Sequence, residues 1–202
     1  CLRSLIIDNR CAIVCKNMEE ENLTTYPQLA TIPMKIVIDA QQAFGTGTHE
    51  TTQMIVSLLL NQDLKEKRVL DCGCGTGILG IVAAKCGARE TVCYDIDEWS
   101  VRNAEHNAEL NGVELDVLEG DKRVLSHVSG VFDIILANIN RNVILEDIDE
   151  FASVMTTDSK IILSGFYEQD AEAILQKANE LGLKESQRLL NHDWCCLLLE
   201  RS

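Results

Sequence analysis

A chain of 202 residues with a formal net charge of −14 and a pI of about 4.6 lacks the basic footprint that a nucleic-acid backbone requires. Its 46% hydrophobic content can fill one large core, and no apolar run reaches the roughly 18 residues of a membrane span. Nine cysteines, none in C-x-x-C spacing, fit small buried thiols of a reducing cytoplasm better than a zinc or disulfide framework.

Leu5-Ile6-Ile7 and Ala12-Ile13-Val14 flank the turn-prone Asp8-Asn9-Arg10, which predicts a hairpin. Residues 16–34 hold an acidic triplet at 19–21 and both prolines, and read as an exposed loop. Ile36-Val37-Ile38 is a short strand. Ala43-Phe44-Gly45-Thr46-Gly47-Thr48-His49-Glu50-Thr51-Thr52 then runs into a helix with its apolar stripe at Met54, Ile55, Leu58 and Leu59. No lysine follows the second glycine, so a Walker loop is excluded. So dense a set of glycines and hydroxyls near a second glycine turn marks a binding loop.

From residue 68 strands and helices alternate. Strand 68–72 leads to helix 77–86, strand 91–95 to helix 98–111, and a short strand lies near 115–118. Strand 131–137 precedes a helix near 143–155, strand 160–163 precedes helix 169–181, and two strands close the chain near 184–190 and 194–200. This order predicts an α/β fold, a mostly parallel seven-stranded sheet with helices on both faces. The last two strands follow one another without a helix, so one of them runs antiparallel.

The centre of the pattern is Val69-Leu70-Asp71-Cys72-Gly73-Cys74-Gly75-Thr76-Gly77. It reads as a strand, a glycine turn and a helix N-terminus, which together hold a nucleotide-like ligand at the carboxyl end of a strand. Asp95 ends the next strand, where it can accept both hydroxyls of a ribose. Asp121 follows Gly120, where an adenine amino group would lie. Asn138 ends the fourth strand, at the reacting end of such a ligand. Residues 75–80 also match G-x-G-x-x-G, so a nicotinamide dinucleotide competes. Against it stand Asp71, which would repel a pyrophosphate and attract a sulfonium or amino group, and the extra Gly73. None of Tyr26, Tyr94 and Tyr167 has a lysine four residues on, and a second substrate domain has no room.

D-C-G-C-G-T-G at 71–77 is similar to the first motif of class I S-adenosylmethionine-dependent methyltransferases. Together with A-F-G-T-G-T-H-E-T-T at 43–52, D-I-D at 95–97 and A-N-I at 137–139, it resembles the PrmA family, which methylates bacterial ribosomal protein L-eleven. The resemblance covers about residues 36–200 and implies a Rossmann-like class I methyltransferase fold. It implies S-adenosyl-L-methionine as cofactor, with Thr52, Gly73, Asp95 and Asn138 as primary contacts and Phe44, Gly45, Thr46 and Asp71 in support. Gly75 and Asp121 complete the candidate set. The implied reaction is methyl transfer to lysine side chains and the N-terminal amine of the ribosomal protein, and the absence of an Asn-Pro-Pro-Tyr motif agrees with an amine acceptor. Asn138 is expected to orient the amine, with no dedicated base in view.

The sequence departs from the family at Ala40, where proline usually follows the aspartate. The family's N-terminal recruiting domain has no counterpart here, so the expected division is a linker, hairpin and loop at 1–35 and a catalytic domain at 36–202 of a longer protein. The expected protein is cytoplasmic and monomeric, without a metal site, membrane segment or direct nucleic-acid contact. His49 is a loop histidine, and His106, His127 and His192 read as solvated. Asp97 reads as a helix cap, and Trp99 and Trp194 as packing residues. Cys72 and Cys74 can line the cofactor site, Cys74 through its small size. The alternatives are a methyltransferase for another protein's lysine, a nicotinamide-dependent oxidoreductase, and a degenerate cofactor-binding module that recruits a partner.

Overall fold

The computed structural model describes residues 4–16, 27–39 and 49–202. β1 (Leu5–Ile7) and β2 (Cys11–Cys15) form the expected antiparallel hairpin. Asp8 and Asn9 both sit at φ 54, the left-handed region that these short polar residues tolerate in tight hairpin turns. β3 (Met34–Ile38) adds to β2 in parallel and completes a three-stranded sheet.

Two features here were not visible in the sequence. A 3-10 helix at Pro27–Thr31 lies within the expected loop and packs Leu29 with Ala12, Val14 and Ile32. β3 begins at Met34, so a division after residue 35 falls inside a strand. Leu5, Ile7, Cys11, Ile13, Ile36 and Ile38 share one core with the helices that follow.

The main sheet takes β4 (Arg68–Cys72), β5 (Glu90–Asp95), β6 (Asp116–Glu119), β7 (Phe132–Asn138), β8 (Met155–Tyr167), β9 (Leu183–Asn191) and β10 (Trp194–Arg201). Its order is β6-β5-β4-β7-β8-β10-β9. β10 is antiparallel to both of its neighbours and all other pairs are parallel, as expected. The two-residue turn His192-Asp193 forces that reversal, with His192 at φ 55.

Helices α1 (His49–Leu60), α2 (Ile78–Lys85) and α3 (Glu98–Leu110) lie among the first strands, and α4 (Arg141–Ser153) and α5 (Ala171–Glu180) follow β7 and β8. Alternation along the strands feeds two cores. Val69, Ile134 and Leu136 face Ile55, Leu59 and Ile81 of α1 and α2. Leu70, Ile135 and Ala137 face Ile144, Phe151 and Ile174 of α4 and α5. Strands buried on both faces lose the polar half of the usual alternation, which is why they read as continuous apolar runs. Each fully buried leucine or isoleucine stabilises the fold by about 1.5–3 kcal/mol.

β8 is far longer than the four residues expected. Its first part, Met155-Thr156-Thr157-Asp158-Ser159, shows no apolar pattern. Ser159 Oγ donates to Phe132 O at 2.6 Å, and the register against β7 shifts at that point. Seven of the described cysteines are free thiols, six of them buried; Cys15 is disulfide-bonded, against expectation. Among the described residues no helix is long and apolar enough to cross a membrane, and no cluster of His, Cys, Asp or Glu could hold a metal ion.

Candidate active site

The strand order reverses between β4 and β7. β5 and β6 build outward on one side of β4, and β7 and β8 on the other. At such a switch point the carboxyl ends of the strands open a crevice. The glycine turn lies there, with Gly73, Gly75 and Gly77 at φ 72, 54 and 88. Gly73 N and Cys74 N both donate to Tyr94 O, at 2.9 and 3.0 Å, which fastens the turn to β5. A Cβ on Gly73 would stand 2.8 Å from Ile139 Cγ2, so only glycine leaves this close approach open.

Asp95 is 6% exposed at the end of β5. Its Oδ2 accepts from Gly75 N at 2.9 Å and its Oδ1 from Asp97 N at 2.9 Å. The carboxylate expected to hold a ribose is therefore also the tie between the glycine turn and the next strand. Its oxygens keep further lone pairs for a ligand, since a carboxylate accepts about four hydrogen bonds.

Asp71 is 1% exposed, and its Oδ2 has no hydrogen-bond partner among the described residues. Burial pushes its carboxyl up to about 7, against the pull of the Gly80 N–H and with some repulsion from Asp95. Asp121 caps a 3-10 helix at Lys122–His127. It accepts from Arg123 N at 2.9 Å and Arg123 Nε at 3.0 Å, and these contacts hold its carboxyl below the usual range.

Between these groups lies a cleft of about 360 Å³, bounded by Gly73, Asp95, Ile96, Asp121 and Ile139, with Tyr94 and Cys72 also lining it. Ile96 is 76% exposed, an isoleucine offering its apolar face to the cleft. The far wall comes from α4, through Val143, Glu146 and Asp147. Lys122 latches that wall to the 3-10 helix by donating to Glu146 O at 2.9 Å, with Asp147 Oδ1 at 3.6 Å. Burial raises the Asp147 carboxyl and Lys122 draws it back. Sequence reasoning missed Ile96, Lys122 and this wall. The one available signal was an apolar residue between two aspartates at a strand end.

Asn138 ends β7 at 7% exposure, opposite Ser164 of β8. The chain then turns sharply. Ile139 N donates to Ser164 O at 3.0 Å, and Asn140 caps α4 by accepting from Val143 N at 3.0 Å. Gly165, at φ 102, admits the turn, because a Cβ there would stand 2.4 Å from Ile139 O.

Asp71, Gly75, Asn138 and Thr52 do not line the described cleft. The first two act at its glycine turn, and Thr52 is half-buried near the start of α1. Phe44, Gly45 and Thr46 lie outside the described residues. Asp97 caps α3 as expected, accepting from Trp99 N at 3.0 Å, and Trp194 stacks on Tyr167 with ring centroids 4.3 Å apart. Trp99 does not pack into the core: it is half-exposed, with Arg102 over its ring. His106, His127 and His192 are exposed as expected, and His106 Nε2 also lies 3.2 Å from Asp39 Oδ2. Cys72 lines the cleft, and Cys74 packs in a small cluster with Cys93 and Ala104.

Comparison with known proteins agrees with this geometry. Residues 10–202 match the family described as ribosomal protein L11 methyltransferase (PrmA). The chain is 43% identical over 173 residues to the ribosomal protein L11 methyltransferase of Porphyromonas gingivalis, covering 85% of this chain and 59% of that protein. It is 45% identical over 180 residues to the protein of the same name from Bacteroides thetaiotaomicron, covering 89% and 61%. The chain thus spans about three fifths of the length of these curated relatives. The crystal structure of a ribosomal protein L11 methylase from Lactobacillus delbrueckii subsp. bulgaricus superposes with a TM-score of 0.85 at 30% identity, covering 99% of both chains. With the switch-point cleft, the glycine turn and these matches in agreement, the chain belongs to the ribosomal protein L11 methyltransferase (PrmA) family.

Proposed function

We propose that this chain binds S-adenosylmethionine in the carboxyl-edge cleft and directs its methyl group to amine nitrogens of ribosomal protein L11. The observation that carries the reading is the pair of buried carboxylates, Asp71 and Asp95, on either side of a glycine turn at the carboxyl edge of the sheet. The residues present fit this cofactor. Asp95 has lone pairs for two ribose hydroxyls, and Ile96 offers an apolar surface to the adenine face. Asp121, which lines the cleft, would accept from the adenine amino group, and Gly73 keeps the floor open. Asp71, buried at the glycine turn with an orphaned Oδ2, would attract the cofactor's cationic amino end from behind the cleft, whereas carboxylates here would repel the pyrophosphate of a nicotinamide dinucleotide. Phe44, Gly45, Thr46 and Thr52 complete the contact set by family resemblance.

The bound cofactor supplies a methyl already activated by its sulfonium. What the chain must add is alignment and an uncharged acceptor. A free lysine amine has a pKa of about 10.4, so a desolvated pocket has to favour its neutral form. Asn138, at the strand end beyond the glycine turn, orients the amine by accepting from its N–H. The net charge of −14 suits a basic protein partner. A ribosomal protein substrate places the reaction in the cytoplasm.

The test is methyl transfer to purified L11, read by mass spectrometry of its lysines and N-terminus. Asn138→Ala is expected to lower turnover about 100-fold with cofactor affinity within about twofold of wild type. Equal turnover would remove Asn138 from the mechanism. Methylation of other lysine-bearing proteins but not L11 would shift the substrate assignment.

Asp71 gives a pH signature. With its carboxyl raised to about 7, it is mostly protonated in the ligand-free protein at pH 6. A cationic ligand beside it favours the ionised form, so binding at about pH 6–7 releases a proton and tightens as pH rises. Calorimetry in buffers of different ionisation enthalpy reads that proton directly, and Asp71→Asn should abolish it. The same elevation costs the ligand-free fold stability as pH climbs from about 4 to about 7, because only the unfolded chain has then lost its proton. A pH-independent affinity would contradict this role.

A further inference from the structure

α3 and its C-cap carry Asn103, Asn107 and Asn111 four residues apart, hence on one helix face, and all three are buried. They face β3, the edge strand of the small sheet. Asn111 Oδ1 accepts from Val37 N at 2.9 Å and its Nδ2 donates to Val37 O at 2.8 Å. Asn107 Oδ1 accepts from Asp39 N at 2.8 Å, and Asn103 Nδ2 donates to Asp39 O at 2.6 Å. Side-chain amides thus serve as the missing neighbour strand. The spacing fits, because four helical residues rise about 6 Å and two strand residues about 6.6 Å.

Asn107 differs from the other two. It is fully buried, and its Nδ2 does not return to β3 but donates to Thr76 O in the glycine turn at 2.8 Å. One amide therefore joins the end of β3 to the glycine turn, whose Gly73 lines the cleft. The same helix backs the turn closely, since a Cβ on Gly77 would stand 3.1 Å from Ala104 Cβ. Asn111 has no such second contact, for its other bond goes to Asn107 O within the helix.

We propose that Asn107 is a positioning residue for the cofactor: its amide sets the glycine turn relative to β3, and so fixes the turn in the conformation that binds. This rests on the S-adenosylmethionine reading above. Asp39, which it holds, directly precedes in sequence the segment containing Phe44, Gly45 and Thr46, which the family resemblance implicates in binding.

The test compares Asn107→Asp with Asn111→Asp. Each keeps its acceptor for a β3 N–H and opposes a carboxylate to the carbonyls it formerly donated to. Both should lower the melting temperature. In Asn107→Asp alone, the amides of 73–77 should exchange with deuterium about tenfold faster in the ligand-free protein, and the Kd for S-adenosylmethionine should rise about tenfold. Asn111→Asp should leave both within about twofold. Should a buried carboxylate prevent folding, Asn107→Ala against Asn111→Ala must give the same ranking. Two variants alike in turn exchange and affinity, or an unchanged turn in the Asn107 variant, would overturn the proposal. The exchange measurement needs no ligand, so failure of wild type to bind S-adenosylmethionine remains distinguishable from failure of the bracket.

Discussion

Asp95→Ala is expected to abolish measurable S-adenosylmethionine binding, raising Kd by more than about 100-fold. The substitution removes three things together. It takes away the acceptors for the ribose hydroxyls, the bond from Gly75 N that holds the glycine turn, and the bond from Asp97 N that starts α3 in place. Hydrogen bonds to a charged group contribute about 1.5–3 kcal/mol each, so loss of two suffices for the predicted change. Asp95→Asn keeps one acceptor oxygen and should fall between, about tenfold weaker than wild type. Calorimetric titration of the three proteins checks the series. Wild-type affinity in Asp95→Ala would mean that the cofactor does not use this carboxylate.

Gly165→Ala is expected to lower both stability and turnover. At φ 102 any side chain is strained, and the new Cβ would lie 2.4 Å from Ile139 O and 2.8 Å from both Ile139 C and Ile139 N. Backbone strain of this kind costs about 1–3 kcal/mol, and overpacking costs a similar amount. In a domain of this size each kcal/mol lowers the melting temperature by about 2–4 °C, so a fall of roughly 5–20 °C follows. The backbone cannot absorb the clash without moving Ile139, and Ile139 is bounded on its other side by Gly73. Asn138 moves with it, so turnover of the folded fraction should fall about 100-fold. Thermal denaturation and methyl transfer measured on the same preparation decide it. A variant with wild-type melting and turnover would show that the turn after β7 tolerates displacement.

Where the fold was legible, it was because local chemistry and tertiary role coincide. Asp8-Asn9 supports a left-handed turn wherever it occurs, and the apolar runs around Leu70 and Leu136 can be stable only when buried on both faces. The glycine turn was legible for the same reason. What was missed depends on partners distant in sequence. Asn103, Asn107 and Asn111 look in sequence like the solvated stripe of a helix, and their burial follows only from β3 lying against them. The early part of β8 has no apolar signal; there Ser159 Oγ accepts from Thr156 N and donates to Phe132 O of β7. Ile96 is exposed and so carries no core signature. The wall of the cleft from α4 is tied by Lys122 to a 3-10 helix that the sequence leaves unrelated to it. The sequence suggests Asp95 as a ligand group, but its tie to the glycine turn required the distances.

The proposed function stands on S-adenosylmethionine binding in the carboxyl-edge cleft, and calorimetric titration of the wild-type chain with S-adenosylmethionine, and separately with NADH, measures it. Saturable binding of S-adenosylmethionine with release of a proton near pH 6.5, and no binding of NADH, is the expected result. Binding of NADH alone, or of neither compound, would contradict it.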